Sequence, residues 1–170
     1  MNKPLSTIMN KNGSDDFQTP PQALNPLIPY LDPYFAIWEC AKGKGYIQDR
    51  LMDLGFDTFG TDIKDGKDFL TYTPDREYDC IITNPPFSLK NEFIERCYEL
   101  GKPFALLLPL AALETQRRQK QWKKGLQLIL INKRINFETP NNKDKSGSWF
   151  ATAWFTHGLD LPKDIIFGNI

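Results

Sequence analysis

The sequence predicts a doubly wound α/β domain: a mostly parallel sheet with helices packed on both faces. Three observations predict it. Six short apolar runs alternate with amphipathic, helix-length segments. A glycine-rich turn joins the first run to the first helix, as in sheets that bind nucleotides at strand ends. And 170 residues with 41% hydrophobic and 25% charged side chains match one ordinary globular domain.

The elements follow in order. Residues 1–16 are polar and are expected to be mobile, leaving 17–170 as a single domain. PPQALNPLIPYL (20–31) starts on proline and spaces its Leu and Ile residues like a short helix. YFAIWE (34–39) reads as a buried strand. Residues 46–54 have helical spacing and stop at Gly55. FDTFGTD (56–62) and YDCIIT (78–83) are the second and third strands. Ser88 is placed to cap a helix over 89–100 that Gly101 closes. PFALLLPL (103–110) is a fourth strand, 113–124 a basic helix, and LQLILIN (126–132) and FATAWFT (150–156) two more strands. The polar segment 138–148 between them is rich in turn residues. Right-handed crossovers bring every parallel strand's carboxyl end to one edge, where ligands bind.

Composition excludes several classes. The longest apolar run, Phe104 to Ala112, is too short for the ~20 residues that span a bilayer. The polar N-terminus does not read as a secretory signal, so a cytoplasmic protein is expected. Cys40, Cys80 and Cys97 are dispersed and His157 is the only histidine, so no zinc motif is present and reduced thiols are expected. Overall neutrality conceals polarity: residues 1–110 carry a balance of −5 and residues 111–170 one of +5. A basic C-terminal third suits phosphates, although charges scattered over solvated faces would give the same sums.

Two strand tails carry chemistry. The first, Glu39-Cys40-Ala41-Lys42-Gly43-Lys44-Gly45, lets backbone pass close under a ligand, but Gln48 replaces the third glycine of a dinucleotide fingerprint. Read alone it is equally an ordinary tight turn. Asp62 ends the second strand 17 residues after Gly45, where a carboxylate can accept hydrogens from ribose hydroxyls. A nucleoside without a pyrophosphate suits this pair, and S-adenosylmethionine is such a molecule. Asp68-Phe69 would supply a carboxylate and a ring to an adenine, or form a loop.

The second tail, Asn84-Pro85-Pro86-Phe87, is the sharper signal. Each proline holds φ near −65° and lacks an N–H. The Asn84 side chain and Pro85 carbonyl then form a stiff pair of acceptors. A planar amine that donates both hydrogens to them is drawn toward a pyramidal, nucleophilic nitrogen, which lowers the barrier to attack. Phe87 can stack on the flat substrate. A merely structural proline exit would not need the asparagine and aromatic that bracket it.

Together, Phe17-Gln18-Thr19-Pro20, the ECAKGKG turn, Asp62, Asp68-Phe69 and NPPF resemble motifs X, I, II, III and IV of the S-adenosylmethionine-dependent amino-methyltransferases. The similarity is to DNA adenine-N6 methyltransferases of the short phage or prophage type, in gamma-like order, across residues 17–156. The resemblance implies a class I fold: a Rossmann-like seven-stranded sheet with an antiparallel last strand at 150–156. It implies that Phe17, Thr19, Pro20, Glu39, Ala41, Gly43, Gly45, Asp62, Ile63, Asp68 and Phe69 bind the cofactor. It implies that Asn84, Pro85, Pro86 and Phe87 handle the target amine, by direct in-line transfer. Larger gamma-type enzymes carry a target-recognition domain for which this chain is expected to have no room, so sequence would be read by loops, by a protein partner, or barely at all.

The expected DNA surface is Thr115 to Lys124 (TQRRQKQWKK), with Arg117, Arg118, Lys120, Lys123 and Lys124. Trp122 among them reads as an inward anchor. Lys133 and Arg134, with Asn141, Asn142, Lys143 and Lys145 in the polar loop, would complete it. A target in a duplex would have to be flipped out. Other substrates that present a planar amine are an RNA base and a protein glutamine, the last not needing the basic third. An idle methyltransferase-fold subunit that binds nucleic acid is the reading of a different class.

Overall fold

A computed structural model describes residues 15–138 and 150–170. Seven strands form one sheet: β1 Ala36–Glu39, β2 Asp57–Gly60, β3 Cys80–Thr83, β4 Phe104–Pro109, β5 Gln127–Ile131, β6 Thr152–His157 and β7 Ile165–Gly168. Their order is β2-β1-β3-β4-β6-β5-β7. The helices are α1 Tyr46–Asp53, α2 Lys90–Leu100 and α3 Gln116–Trp122. Each of the six apolar runs became a strand.

Both faces of the sheet are covered, because adjacent residues of a strand point to opposite sides. Ile37, Ile82, Leu107 and Trp154 face one layer, with Ala23, Leu24 and Leu27 and with Ile47 and Leu51 of α1. Trp38, Ile81, Leu106 and Phe155 face the other, with Phe93 and Ile94 of α2 and Trp122 of α3. This double burial accounts for continuous apolar runs rather than an alternating pattern.

β6 is the antiparallel strand, where the sequence reading placed it, but it is not the last. It lies between β4 and β5, antiparallel to both. The chain then returns as β7, parallel to β5 at the sheet edge, an element that the list of apolar runs omits. β7 is only IIFG, with Ile165 and Phe167 exposed, so little of it reads as core.

Two local expectations are corrected. Segment 20–31 is not one helix but two 3-10 turns, Pro21–Leu24 and Ile28–Tyr30. Pro20, Pro21, Pro26 and Pro29 remove the amide hydrogens that a longer ladder needs. Ser88 does not cap α2. A 3-10 turn, Phe87–Leu89, intervenes, and the cap position is Leu89 without a side-chain bond. Among the described residues, no helix is long and apolar enough to cross a membrane.

Candidate active site

Chain order reverses between β1 and β3, which sit side by side while β2 flanks β1 on the other side. A crevice at their carboxyl ends is therefore expected. A cavity of about 410 Å³ occupies it. Of the residues expected to bind cofactor, Phe17, Thr19, Glu39, Ala41, Gly43, Asp62, Ile63, Asp68 and Phe69 line this cavity, and Pro20 and Gly45 do not. Asn84 and Pro86 line it, and Pro85 and Phe87 do not.

The glycine turn is built by backbone geometry and one carboxylate. Gly43 has φ +53° and Gly45 φ +91°, conformations that side-chain-bearing residues rarely adopt. The Gly43 N–H donates to Asp62 Oδ2 at 2.9 Å, and the Lys64 N–H donates to Oδ1 at 2.9 Å. Asp62 thus ties the end of β2 to the turn after β1 and keeps further lone pairs at the cavity wall. Asp68 accepts from the Leu70 N–H at 3.0 Å. Phe69 is buried, tilted against Phe93 with ring centroids 4.7 Å apart.

Among the described residues, three buried polar atoms on this wall have no hydrogen-bond partner: Thr19 Oγ1, Glu39 Oε2 and Asn84 Oδ1. Unpaired buried polar atoms are rare and point to a ligand or water that satisfies them. Glu39 is almost wholly enclosed, its Oε1 accepting from the Ala41 N–H at 3.1 Å. Burial pushes its carboxyl up to about 8, against the pull of the neighbouring Thr83 hydroxyl and of that N–H. Burial likewise raises the thiol of Cys40, which stays neutral.

Asn84 is held by its other amide atom: Nδ2 donates to the Phe17 carbonyl at 2.9 Å. That bond leaves Oδ1 as an acceptor with no partner among the described residues. Phe87 does not point to an open platform. Its ring stacks on Phe17, centroids 5.3 Å apart at 26°, and meets Phe150 edge-on at 5.4 Å.

Gln18 is the residue the sequence reading passed over within the FQTP segment. It is buried, lines the cavity, and pairs its backbone with Glu138 in both directions, at 2.8 and 3.0 Å. Glu138 in turn binds the Lys44 ammonium and accepts from the Tyr46 hydroxyl at 2.9 Å. Those partners hold the Glu138 carboxyl below its usual range. Little local flagged Gln18, since two of its partners, Lys44 and Glu138, lie 26 and 120 residues away.

The expected phosphate surface is partly corrected. Arg118 is buried: Nε donates to the Ala112 carbonyl, Nη2 to the Ala111 carbonyl and Nη1 to Asn91 Oδ1, at 2.9, 3.2 and 2.9 Å. It locks the turn after β4 and cannot reach a phosphate. Arg117 forks onto Glu95 of α2 at 2.7 and 2.8 Å. Lys123 and Lys124 are exposed, but at the sheet edge opposite the cavity. There Lys124 Nζ lies 5.2 Å from the Tyr98 ring at the end of α2. α3 runs back across the sheet, so its C-terminal lysines leave the active edge. Lys120 is exposed on α3. Lys133 and Arg134 follow the carboxyl end of β5 and so fall on the active edge. Trp122 is an inward anchor as expected, its Nε1 donating to the Ala112 carbonyl at 2.9 Å. Asn141, Asn142, Lys143 and Lys145 lie outside the described residues.

No family model and no curated protein matches this chain. Solved structures do. A type I restriction-modification methyltransferase subunit from Streptococcus thermophilus superposes with TM-score 0.62 at 16% identity, covering 91% of this chain and 47% of its own. A putative class I S-adenosylmethionine-dependent methyltransferase from Listeria monocytogenes gives 0.60 at 15%, covering 98% and 69%. The glycopeptide N-methyltransferase MtfA, solved with S-adenosyl-L-homocysteine, gives 0.52 at 9%, covering 92% and 98%. The chain spans about half the length of the Streptococcus subunit. With strand order, crevice and glycine turn in place, these likenesses establish that the chain has the Rossmann-like fold of the class I methyltransferases.

Proposed function

We propose that the chain is an S-adenosylmethionine-dependent methyltransferase acting on the N6 amino group of adenine in DNA. The observation that carries this reading is Asn84: one amide atom is fixed to the Phe17 carbonyl, and the other is a buried acceptor, without a partner among the described residues, on the wall of a cavity next to the glycine turn.

The residues present fit the cofactor. The cavity has the size of a small-molecule site. Asp62 stands where ribose hydroxyls would donate. Glu39 Oε2 and Thr19 Oγ1 would find partners on the amino-acid end, and Ile63 and Phe69 offer apolar walls to the adenine. Bound there, the sulfonium supplies the methyl carbon. Asn84 Oδ1 and the Pro85 carbonyl accept the two hydrogens of the target amine and favour its pyramidal form, in which the lone pair is free. An acceptor fixed on a stiff backbone limits the reorganisation needed when charge develops. The Phe87 ring is sequestered on Phe17 and Phe150, so stacking on the target requires Phe17 or Phe150 to give way.

The substrate is the finer part of the proposal. Support comes from the resemblance of NPPF and its companion motifs. It also comes from two restriction-modification subunits among the structural neighbours, the second being a modification subunit from Vibrio vulnificus with TM-score 0.54 at 12% identity. Lys133 and Arg134, on the active edge, are proposed phosphate contacts. In this reading Lys123 and Lys124 play no direct part.

The test is methyl transfer from labelled cofactor to unmethylated DNA, total RNA and protein extract in separate reactions, with digestion and identification of the product. N6-methyladenine from DNA is expected. Label confined to RNA or to glutamine would replace the substrate assignment. No binding of S-adenosylhomocysteine by calorimetry would remove the enzymatic reading altogether.

A further inference from the structure

Gln18 joins parts of the site that are remote in sequence. Its side-chain Oε1 accepts from the Lys44 N–H at 2.8 Å, inside the glycine turn. Its Nε2 donates to the Asp16 carboxylate. The side chain fills the space under Gly43, where an added Cβ would come within 2.6 Å of Oε1. The residue immediately before it, Phe17, offers the carbonyl that holds Asn84 Nδ2 at 2.9 Å. Backbone pairing with Glu138 prevents the 17–18 segment from sliding. A short rigid path therefore runs from the turn expected under the cofactor, through Gln18 and the Phe17 carbonyl, to the acceptor expected at the target amine.

We propose that Gln18 is a positioning residue: it transmits the state of the glycine turn to the Asn84 amide, so that the amine acceptor is aligned when the cofactor site is filled. This rests on the methyltransferase reading above. A change at the Lys44 N–H on ligand binding would reach Gln18 through this bond. Since Gln18 and Phe17 share a peptide unit, the Phe17 carbonyl and the Asn84 side chain move together. Gln18 touches no reacting atom in this scheme.

The test follows the Asn84 side-chain NH2 by NMR in protein labelled with 15N-asparagine. The signal is assigned by its loss in Asn84→Asp, and each protein is titrated with S-adenosylhomocysteine. In the wild type, the ligand shifts this signal. Gln18→Met keeps the volume and removes both bonds, and Gln18→Asn keeps the amide but is too short to reach Lys44. In each, the ligand should still bind while the Asn84 shift falls to a small fraction. Should the Met variant not fold, the Asn variant gives the same reading. In Gln18→Glu combined with Asp16→Asn, the acceptor for the Lys44 N–H is retained and no second carboxylate faces it, so the shift should return. In turnover, Gln18→Met should lower kcat about 100-fold with KM for the target little changed, the cost of a misplaced acceptor. A full Asn84 shift in both shortened and apolar variants overturns the coupling and leaves the function standing. Failure of the wild type to bind the ligand overturns both.

Discussion

The side chain of Asn84 is clamped by the backbone of Phe17, Nδ2 to carbonyl oxygen at 2.9 Å, across 67 residues of sequence. This bond decides which end of the amide faces the cavity. It converts an asparagine, which has donors and an acceptor, into a one-sided acceptor.

Asn84→Ala should abolish nearly all methyl transfer, by about 10²- to 10³-fold, the usual cost of removing one preorganised polar group from a reacting centre. Affinity for S-adenosylhomocysteine should stay near wild type, because the glycine turn and Asp62 are untouched. Single-turnover rates and calorimetry on the same preparation check the split. Full activity in the variant would remove Asn84 from the reaction.

Glu39 makes the stability of the ligand-free protein depend on pH. Below its ordinary value of 4.5, the carboxyl is protonated whether the chain is folded or not. Between 4.5 and about 8, the unfolded chain releases the proton while burial keeps it on the folded one. Stability therefore falls as pH rises through this window, and the loss is complete above it. The slope from this group approaches about 1.4 kcal/mol per pH unit. Glu39→Gln should flatten that part of the profile and melt higher than wild type at pH 8. Thermal melts from pH 5 to 9 read it directly.

Gly43→Ala should destabilise the protein by about 1–2 kcal/mol, because a Cβ at positive φ is strained. The new methyl would also displace buried Gln18 from under the turn. Cofactor affinity should fall as well. Gly55→Ala, at φ +91° with open space around it, should carry the backbone strain alone and spare the cofactor site. Urea denaturation and calorimetry of the two variants separate the effects.

Arg118 and Lys133 should behave oppositely. Arg118→Met leaves two carbonyls and an asparagine oxygen without their donor, so about 2 kcal/mol or more of stability is lost. The salt dependence of DNA binding should not change. Lys133→Ala should leave the melting temperature unchanged and lower the salt slope by about one unit. Lys123→Ala, on the far edge, should alter neither. Binding isotherms at several salt concentrations check all three.

Six strands, three helices and the two strand tails that meet at the cavity were legible in the linear chain, because their causes are local. Apolar runs of strand length, glycines that accept positive φ, and a double proline that stiffens a strand exit act within a few residues. The sheet edge that carries the cavity was legible for the same reason, since right-handed crossovers leave little choice of where strands end. Placement across the sheet was not. Insertion of β6 between β4 and β5, and the addition of IIFG as a seventh strand, depend on which edges remain unpaired once the core has closed. The cations of TQRRQKQWKK look equivalent in a row. The turn of α3 and its packing on α2 then bury Arg118, pair Arg117 with Glu95 and carry Lys124 to the opposite edge. Gln18 is the extreme case: its composition is unremarked and its neighbours in sequence say little. Its role comes from partners brought together by folding, because hydrogen bonds act over about 3 Å of space whatever the length of chain between them.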